Sequence, residues 1–142
     1  MADRFAILGQ AFPTGVWSAP ETNEVELYQV PLVAEGTVGS EPKSVAFQTQ
    51  TIVSSIIVCS QATVNPIGFY VRLRKYDFSA GALEPLVPPI SNKQFLFHNT
   101  DVGPNKTQIL SVALTLSPGD KISVGTETGS KLSFTAMGIE VT

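Results

Sequence analysis

Charge is scarce in this sequence: Asp, Glu, Lys and Arg make up 15% of its 142 residues, against about 25% in an average globular domain. That shortage argues against a charged disordered tail and against a solvated helical bundle. Cysteine and histidine each occur once. A single Cys excludes an intramolecular disulfide, and a single His excludes a metal site made of several imidazoles. Nine basic residues stand against twelve acidic ones, giving a net charge of −3 and a pI near 5.0. The electrostatic case for binding nucleic acid or an anionic membrane goes with them. Long apolar runs are missing too. The most apolar stretch, Ile52 to Val58, is broken by Ser54-Ser55 and is far short of the ~20 residues that span a bilayer. The start, Met1-Ala2-Asp3-Arg4-Phe5, lacks the basic head and apolar core of a secretory signal, so folding in a reducing cytosol is expected. Asn105-Lys106-Thr107 has the form of a glycosylation acceptor, which without such a signal is read as coincidence.

What is present is apolar and regularly punctuated. Apolar residues reach 43%, with 11 Gly and 10 Pro, in a chain long enough for one domain with one core. Period two dominates. In Phe69-Tyr70-Val71-Arg72-Leu73-Arg74, Phe69, Val71 and Leu73 share one face and Tyr70, Arg72 and Arg74 the other, as in a strand with one buried and one solvated side. Gln108 to Leu116 repeats the pattern with Leu110, Val112, Leu114 and Leu116 inward, and Asp120 to Val124 and Lys131 to Ala136 continue it. Parity then changes from Leu132, Phe134 and Ala136 to Ile139 and Val141, which predicts a bulge near Met137-Gly138. Thr51 to Cys59 is apolar on both parities and predicts a central strand covered on both faces.

Ser117-Pro118-Gly119-Asp120 is a turn with a mechanism, Pro presetting φ and Gly supplying a positive φ after it. Gly125 to Ser130 reads as a hairpin loop, and Asn99 to Asn105 as another link between strands. Pro31 to Ser44 and Asp77 to Asn92 lack periodicity and read as crossover loops, where interaction surface usually sits. No stretch sustains helical spacing, and no internal repeat is found. About eight or nine strands at this spacing predict an all-β antiparallel β-sandwich, jelly-roll-like. Residues 1–23 form an N-terminal strand and extended arm, and 24–142 a single β-sandwich domain. The arm's apolar Phe12, Val16 and Trp17 are expected to pack on their own domain, with docking on a neighbouring subunit as the alternative.

Catalytic equipment is thin. His98 has no sequence signature tying it to a serine, no G-x-S-x-G elbow occurs, and Cys59 lies in the most buried-looking strand. Both read as structural. Glu24 and Glu26 alternate onto one solvated strand face rather than across a cleft. Neither a calcium-loop motif nor a phosphate-binding glycine loop occurs, so no cofactor and no metal is expected. Arg72, Arg74 and Lys75 beside Tyr70 and Tyr76 have the outline of a single-strand stacking platform, but Tyr and Arg together fit a protein contact better. Phe12, Trp17, Tyr70, Arg72 and Arg74 are the candidate protein-contact residues.

Taken in order, Leu8-Gly9-Gln10, Leu27-Tyr28-Gln29-Val30-Pro31, Val53 to Gln61 (VSSIIVCSQ), Gly68 to Leu73 (GFYVRL), Leu114 to Val124 and Leu132 to Glu140 (LSFTAMGIE) resemble a family of small tailed-bacteriophage virion proteins. Its members read as an LGQ start, an LYTVP segment, a VSSIVVCN strand, a TFRV strand and an LSFNAFGSE-like end. The resemblance covers most of the chain. Departures fall in loops: Pro31 to Ser44 is longer, Tyr76 to Asn92 is Pro-rich, and Gln61 stands near the family's Asn-Arg pair. What the resemblance implies is a non-enzymatic structural part of the particle, made in the host cytoplasm and located in the virion. It would be an accessory or decoration subunit of capsid or tail, binding other virion proteins as a homo-oligomer, with a trimer the expectation by family analogy. The alternative from the residues is a carbohydrate-binding module at a tail or fibre tip, with Tyr28, Tyr70 or Tyr76 as an aromatic platform.

Overall fold

The computed structural model describes residues 4–18, 22–31, 36–38, 41–43, 50–85 and 94–141. Eight long strands carry the fold: β1 (Arg4–Ala11), β2 (Val25–Gln29), β5 (Gln50–Ser60), β6 (Ile67–Arg74), β9 (Phe95–Val102), β10 (Thr107–Leu116), β11 (Lys121–Thr126) and β12 (Leu132–Val141). Two short hairpins complete it, β3 (Gly36–Val38) with β4 (Glu41–Lys43), and β7 (Tyr76–Asp77) with β8 (Ala82–Leu83). They lie within the two aperiodic segments, whose residues 32–35, 39–40, 44 and 86–92 fall outside the described residues. Among the described residues there is no helix, so none that could cross a membrane.

The long strands form two four-stranded antiparallel sheets, ordered β1-β12-β5-β10 and β2-β11-β6-β9. The pairs β1–β12, β2–β11, β5–β10 and β6–β9 are successive segments of one long ribbon. Its closed end is the β6–β9 connection. Wrapping that ribbon around itself brings β12 onto β5 and β11 onto β6, and the result is a jelly roll. Of the links between successive long strands, only β6 to β9 stays within one sheet. Gly125 to Ser130 is therefore a corner between sheets rather than the expected hairpin loop. Spacing along the chain cannot tell these apart, because both need a short reversal with similar turn residues.

The inner faces meet in a core of Leu27, Val30, Val53, Ile56, Val58, Phe69, Val71, Leu116, Ile122, Val124, Leu132 and Phe134, all essentially inaccessible to water. Each such side chain contributes about 1.5–3 kcal/mol on burial. Phe69 of β6 meets Phe134 of β12 edge to face at 5.8 Å, joining the sheets at the centre. A polar tie crosses the core near its edge. The Tyr28 hydroxyl on β2 donates to Glu140 Oε1 on β12 at 2.7 Å and lies 2.8 Å from Thr51 Oγ1 on β5.

The irregularity near Met137-Gly138 is present, but the extra residues lie on the neighbours. Between Ser55 and Val53 the register of β5 slips by one opposite the Met137/Gly138 step, and between Ile7 and Gly9 that of β1 slips by one opposite the adjoining Ala136/Met137 step. Ser54 Oγ donates to Met137 O across the slip (3.1 Å). β12 itself stays regular, with Gly138 buried on the same parity as Ala136. A second correction concerns β5, which is central but not covered on both sides. Thr51, Val53, Ile56 and Val58 face the core, whereas Ile52 is exposed and Ile57 and Cys59 are half-buried on the outside. The turn at Ser117–Asp120 forms as expected: Gly119 has φ +84° and Asp120 N donates to Ser117 O at 3.1 Å.

Candidate binding surfaces

The outer faces of the two sheets have opposite character, and the N-terminal arm is the first cause. After β1 the chain crosses to the β2-β11-β6-β9 sheet. Pro13 O accepts from Ser130 N at 2.9 Å, and Trp17 N donates to Thr126 O at 2.8 Å. Gly125 on β11 leaves the space the indole fills: a Cβ there would lie 2.6 Å from Trp17 Cδ1. Trp17 then stacks on Tyr70 of β6, centroids 4.1 Å apart, with Phe95 of β9 edge-on at 6.0 Å. His98 closes the cluster, edge to face with Tyr70 at 5.2 Å and Phe95 at 4.7 Å. Burial, helped by the nearby Glu127 carboxylate, raises the Tyr70 phenol above its ordinary value.

Beneath this cluster Arg72 is only 1% exposed. Its guanidinium carbon lies 4.6 Å from the centre of the Phe95 ring, its Nη1 donates to Gln94 Oε1 at 3.3 Å, and its Nε is 3.5 Å from Glu24 Oε2. Arg74, farther along β6, donates through Nε and Nη2 to Glu84 O at 3.1 and 2.6 Å. Desolvation, the largest influence, lowers its pKa. Lys75 pairs with Asp120, whose buried carboxylate also accepts from Tyr76 N and Ser117 N. An open cleft of about 500 Å³ lies here, walled by Leu73, Lys75, Asp77, Glu84, Pro85, Gln94 and Leu96. At its rim, hydrogen bonds from Ser79 hold the Asp77 carboxyl below the usual range. Among the described residues no group of three or more His, Cys, Asp or Glu is placed to hold a metal.

The other sheet turns a different exterior outward. Directly paired residues share a face, so the register sets Phe5, Ile139, Ile52 and Thr115 in one row. The next row holds Ile7, Met137, Ser55 and Ser111, and the next Gln10, Thr135, Ile57 and Ile109. Ser133, Cys59 and Thr107 follow. No residue in these rows carries a charge. Phe5, Ile7, Ile52 and Ile109 are 59, 58, 41 and 65% exposed. No family model, curated protein or solved structure matches this chain.

The structure brings Trp17, Tyr70 and Arg72 of the sequence-predicted contact residues into one cluster. Phe12 is exposed where the arm begins, and Arg74 is held by the β7–β8 segment. The solvated side expected for β6 is corrected, since arm, Glu24 and Gln94 cover it. Glu24 accordingly does not share a solvated face with Glu26: its side chain is 11% exposed beside Arg72, while Glu26 points to water. Cys59 sits on the sheet exterior rather than in the core, its Sγ 2.9 Å from Thr107 Oγ1. As an aromatic platform, Tyr28 is buried and one face of Tyr70 is occupied by Trp17, while Tyr76 meets the exposed Phe78 edge-on. Sequence reasoning missed Phe95, Gln94 and the apolar exterior. For the exterior a signal existed: Thr51 to Cys59 is apolar on both parities, where a strand with one buried face needs only one.

Proposed function

We propose that this chain is a non-enzymatic structural subunit of a bacteriophage virion, an accessory or decoration protein of the capsid or tail that binds other virion proteins and copies of itself. The observation that carries this reading is a jelly roll with one sheet exterior partly covered by its own arm and the other left uncharged, with Phe5, Ile7, Ile52 and Ile109 exposed on it. An exposed apolar surface of this extent marks a contact with another macromolecule. Jelly rolls recur in viral capsid proteins as well as in lectins, which supports the reading by fold-level analogy only, beside the resemblance of the strand motifs. Such a subunit acts by surface complementarity, with no turnover and no cofactor. Mass spectrometry of purified particles tests the proposal. The protein is expected at constant stoichiometry with other particle proteins; recovery only from infected-cell lysate, with none on particles, overturns it.

A further inference from the structure

We infer that the exterior of the β1-β12-β5-β10 sheet is the contact between two copies of this chain, packed sheet on sheet about a two-fold axis. The inference rests on the self-associating part of the proposed function and names its surface. Size is the first argument. Four strands about 4.8 Å apart, each about ten residues of ~3.3 Å, present roughly 600 Å². Two such faces together remove roughly 1,200 Å² from water, the lower end of stable specific interfaces.

Charge is the second. In an isologous contact the same patch meets itself, so charges near the axis lie close to their own copies and repel. A neutral patch avoids that repulsion without needing complementary charges placed about the axis. The rows from Phe5–Thr115 to Cys59–Thr107 are neutral throughout, while Arg72, Arg74, Glu24, Glu26 and Lys121 lie on the opposite side of the molecule or at its border. A dissimilar partner would gain from charges that steer and orient it; a copy gains from having none.

Shape is the third. Aligned sheets pack about 10 Å apart with strands within about 30° of each other, and Ile7, Ile52, Ile57 and Ile109 supply the interdigitating side chains. A two-fold contact of this kind produces dimers or even-numbered assemblies, so a trimer would need another surface.

Sedimentation equilibrium of the full chain over a wide concentration range tests this, with Ile109→Glu and Ile7→Glu as variants and Lys121→Glu as control. Ile109 and Ile7 are exposed, so circular dichroism is expected to show unchanged folds. The expected result is twice the monomer mass for the wild type and the control, and dimerisation weakened tenfold or more in each isoleucine variant. Alkylation of Cys59 in the unaltered protein gives a readout independent of the variants, and it should slow as concentration rises. A monomeric wild type, an odd-numbered assembly held by this face, a dimer indifferent to both substitutions, or Cys59 reactivity independent of concentration each overturns the inference. Absence from particles with a dimer intact would refute the virion reading alone.

Discussion

Trp17 lies on Tyr70 with ring centroids 4.1 Å apart and planes 25° from parallel, over the glycine of β11. The arm thus places its indole on its own sheet, with Phe95 edge-on beside it. Truncating Trp17 to Ala is expected to cost about 2 kcal/mol, below the ~3–5 of a fully buried aromatic because the indole is only half-buried. Denaturant unfolding followed by circular dichroism measures it, and a change under ~0.5 kcal/mol would show that the arm is not held this way.

Gly125→Val attacks the same contact from below. A branched side chain there occupies the space of the indole, so Trp17 must leave Tyr70. As the protein has one Trp, its fluorescence reports the event: emission should shift to the red and become more open to acrylamide quenching. An unchanged spectrum in a folded variant would contradict the stack.

The tie from Tyr28 to Glu140 predicts a pH signature. Burial is the main cause that raises the Tyr28 phenol far above its ordinary value; the Thr51 hydrogen bond opposes it and Glu140 adds to it. In the unfolded chain the phenol ionises near pH 10, while in the fold it stays protonated. This contribution to stability is full below about pH 10 and is lost as pH climbs beyond it toward the folded value. Of the three tyrosines, Tyr28 should ionise, by absorbance at 295 nm, only with unfolding. Tyr28→Phe should cost about 1–2 kcal/mol at neutral pH and flatten the alkaline decline. Complete titration of all three near pH 10 in still-folded protein would refute this.

Asp120 gathers Ser117 N at 2.9 Å, Tyr76 N at 2.8 Å and Lys75 Nζ at 2.6 Å while almost fully buried. Asp120→Ala strands two backbone donors and should cost about 2–4 kcal/mol. Lys75, half exposed, should cost under ~1 kcal/mol as Ala. Calorimetry distinguishes them at roughly 3 °C of Tm per kcal/mol for a chain of this length. Equal losses would mean that the ion pair, not the turn, is what Asp120 stabilises.

Phe69→Ala and Phe134→Ala should each cost about 3–5 kcal/mol. Because the rings touch across the sheets, the double variant should lose less than the sum, by about 0.5–1.5 kcal/mol. Strict additivity from a double-mutant cycle would separate the two residues energetically.

Strand identity was legible wherever one face is buried, because alternation of apolar and polar residues records burial directly. Leu110 to Leu116 and Leu132 to Ala136 are the clearest examples, and Ser117–Asp120 announced its turn through Pro and Gly. The same rule misled at β6. Its outer residues Tyr70 and Arg72 have the chemistry of a wet face, yet residues from the arm, ahead of β2 and at the start of β9 cover them. No local pattern records a cover supplied from far along the chain. Of the contact residues, types were legible and roles were not, since Arg72 is internal to this domain.

By itself, the sequence determined the class: low charge, period two and turn residues permit only packed antiparallel strands, and one Cys with one His leaves no disulfide and no multi-imidazole site. Tertiary structure decided the partnering. Whether a tight reversal returns to the same sheet or rolls onto the other depends on which apolar faces meet, a long-range balance that local propensity does not encode. The jelly-roll order, the burial of Arg72 and the bare isoleucines outside β1, β5 and β10 all follow from that choice. The scarcity of charge is therefore not uniform: it is concentrated on one sheet exterior.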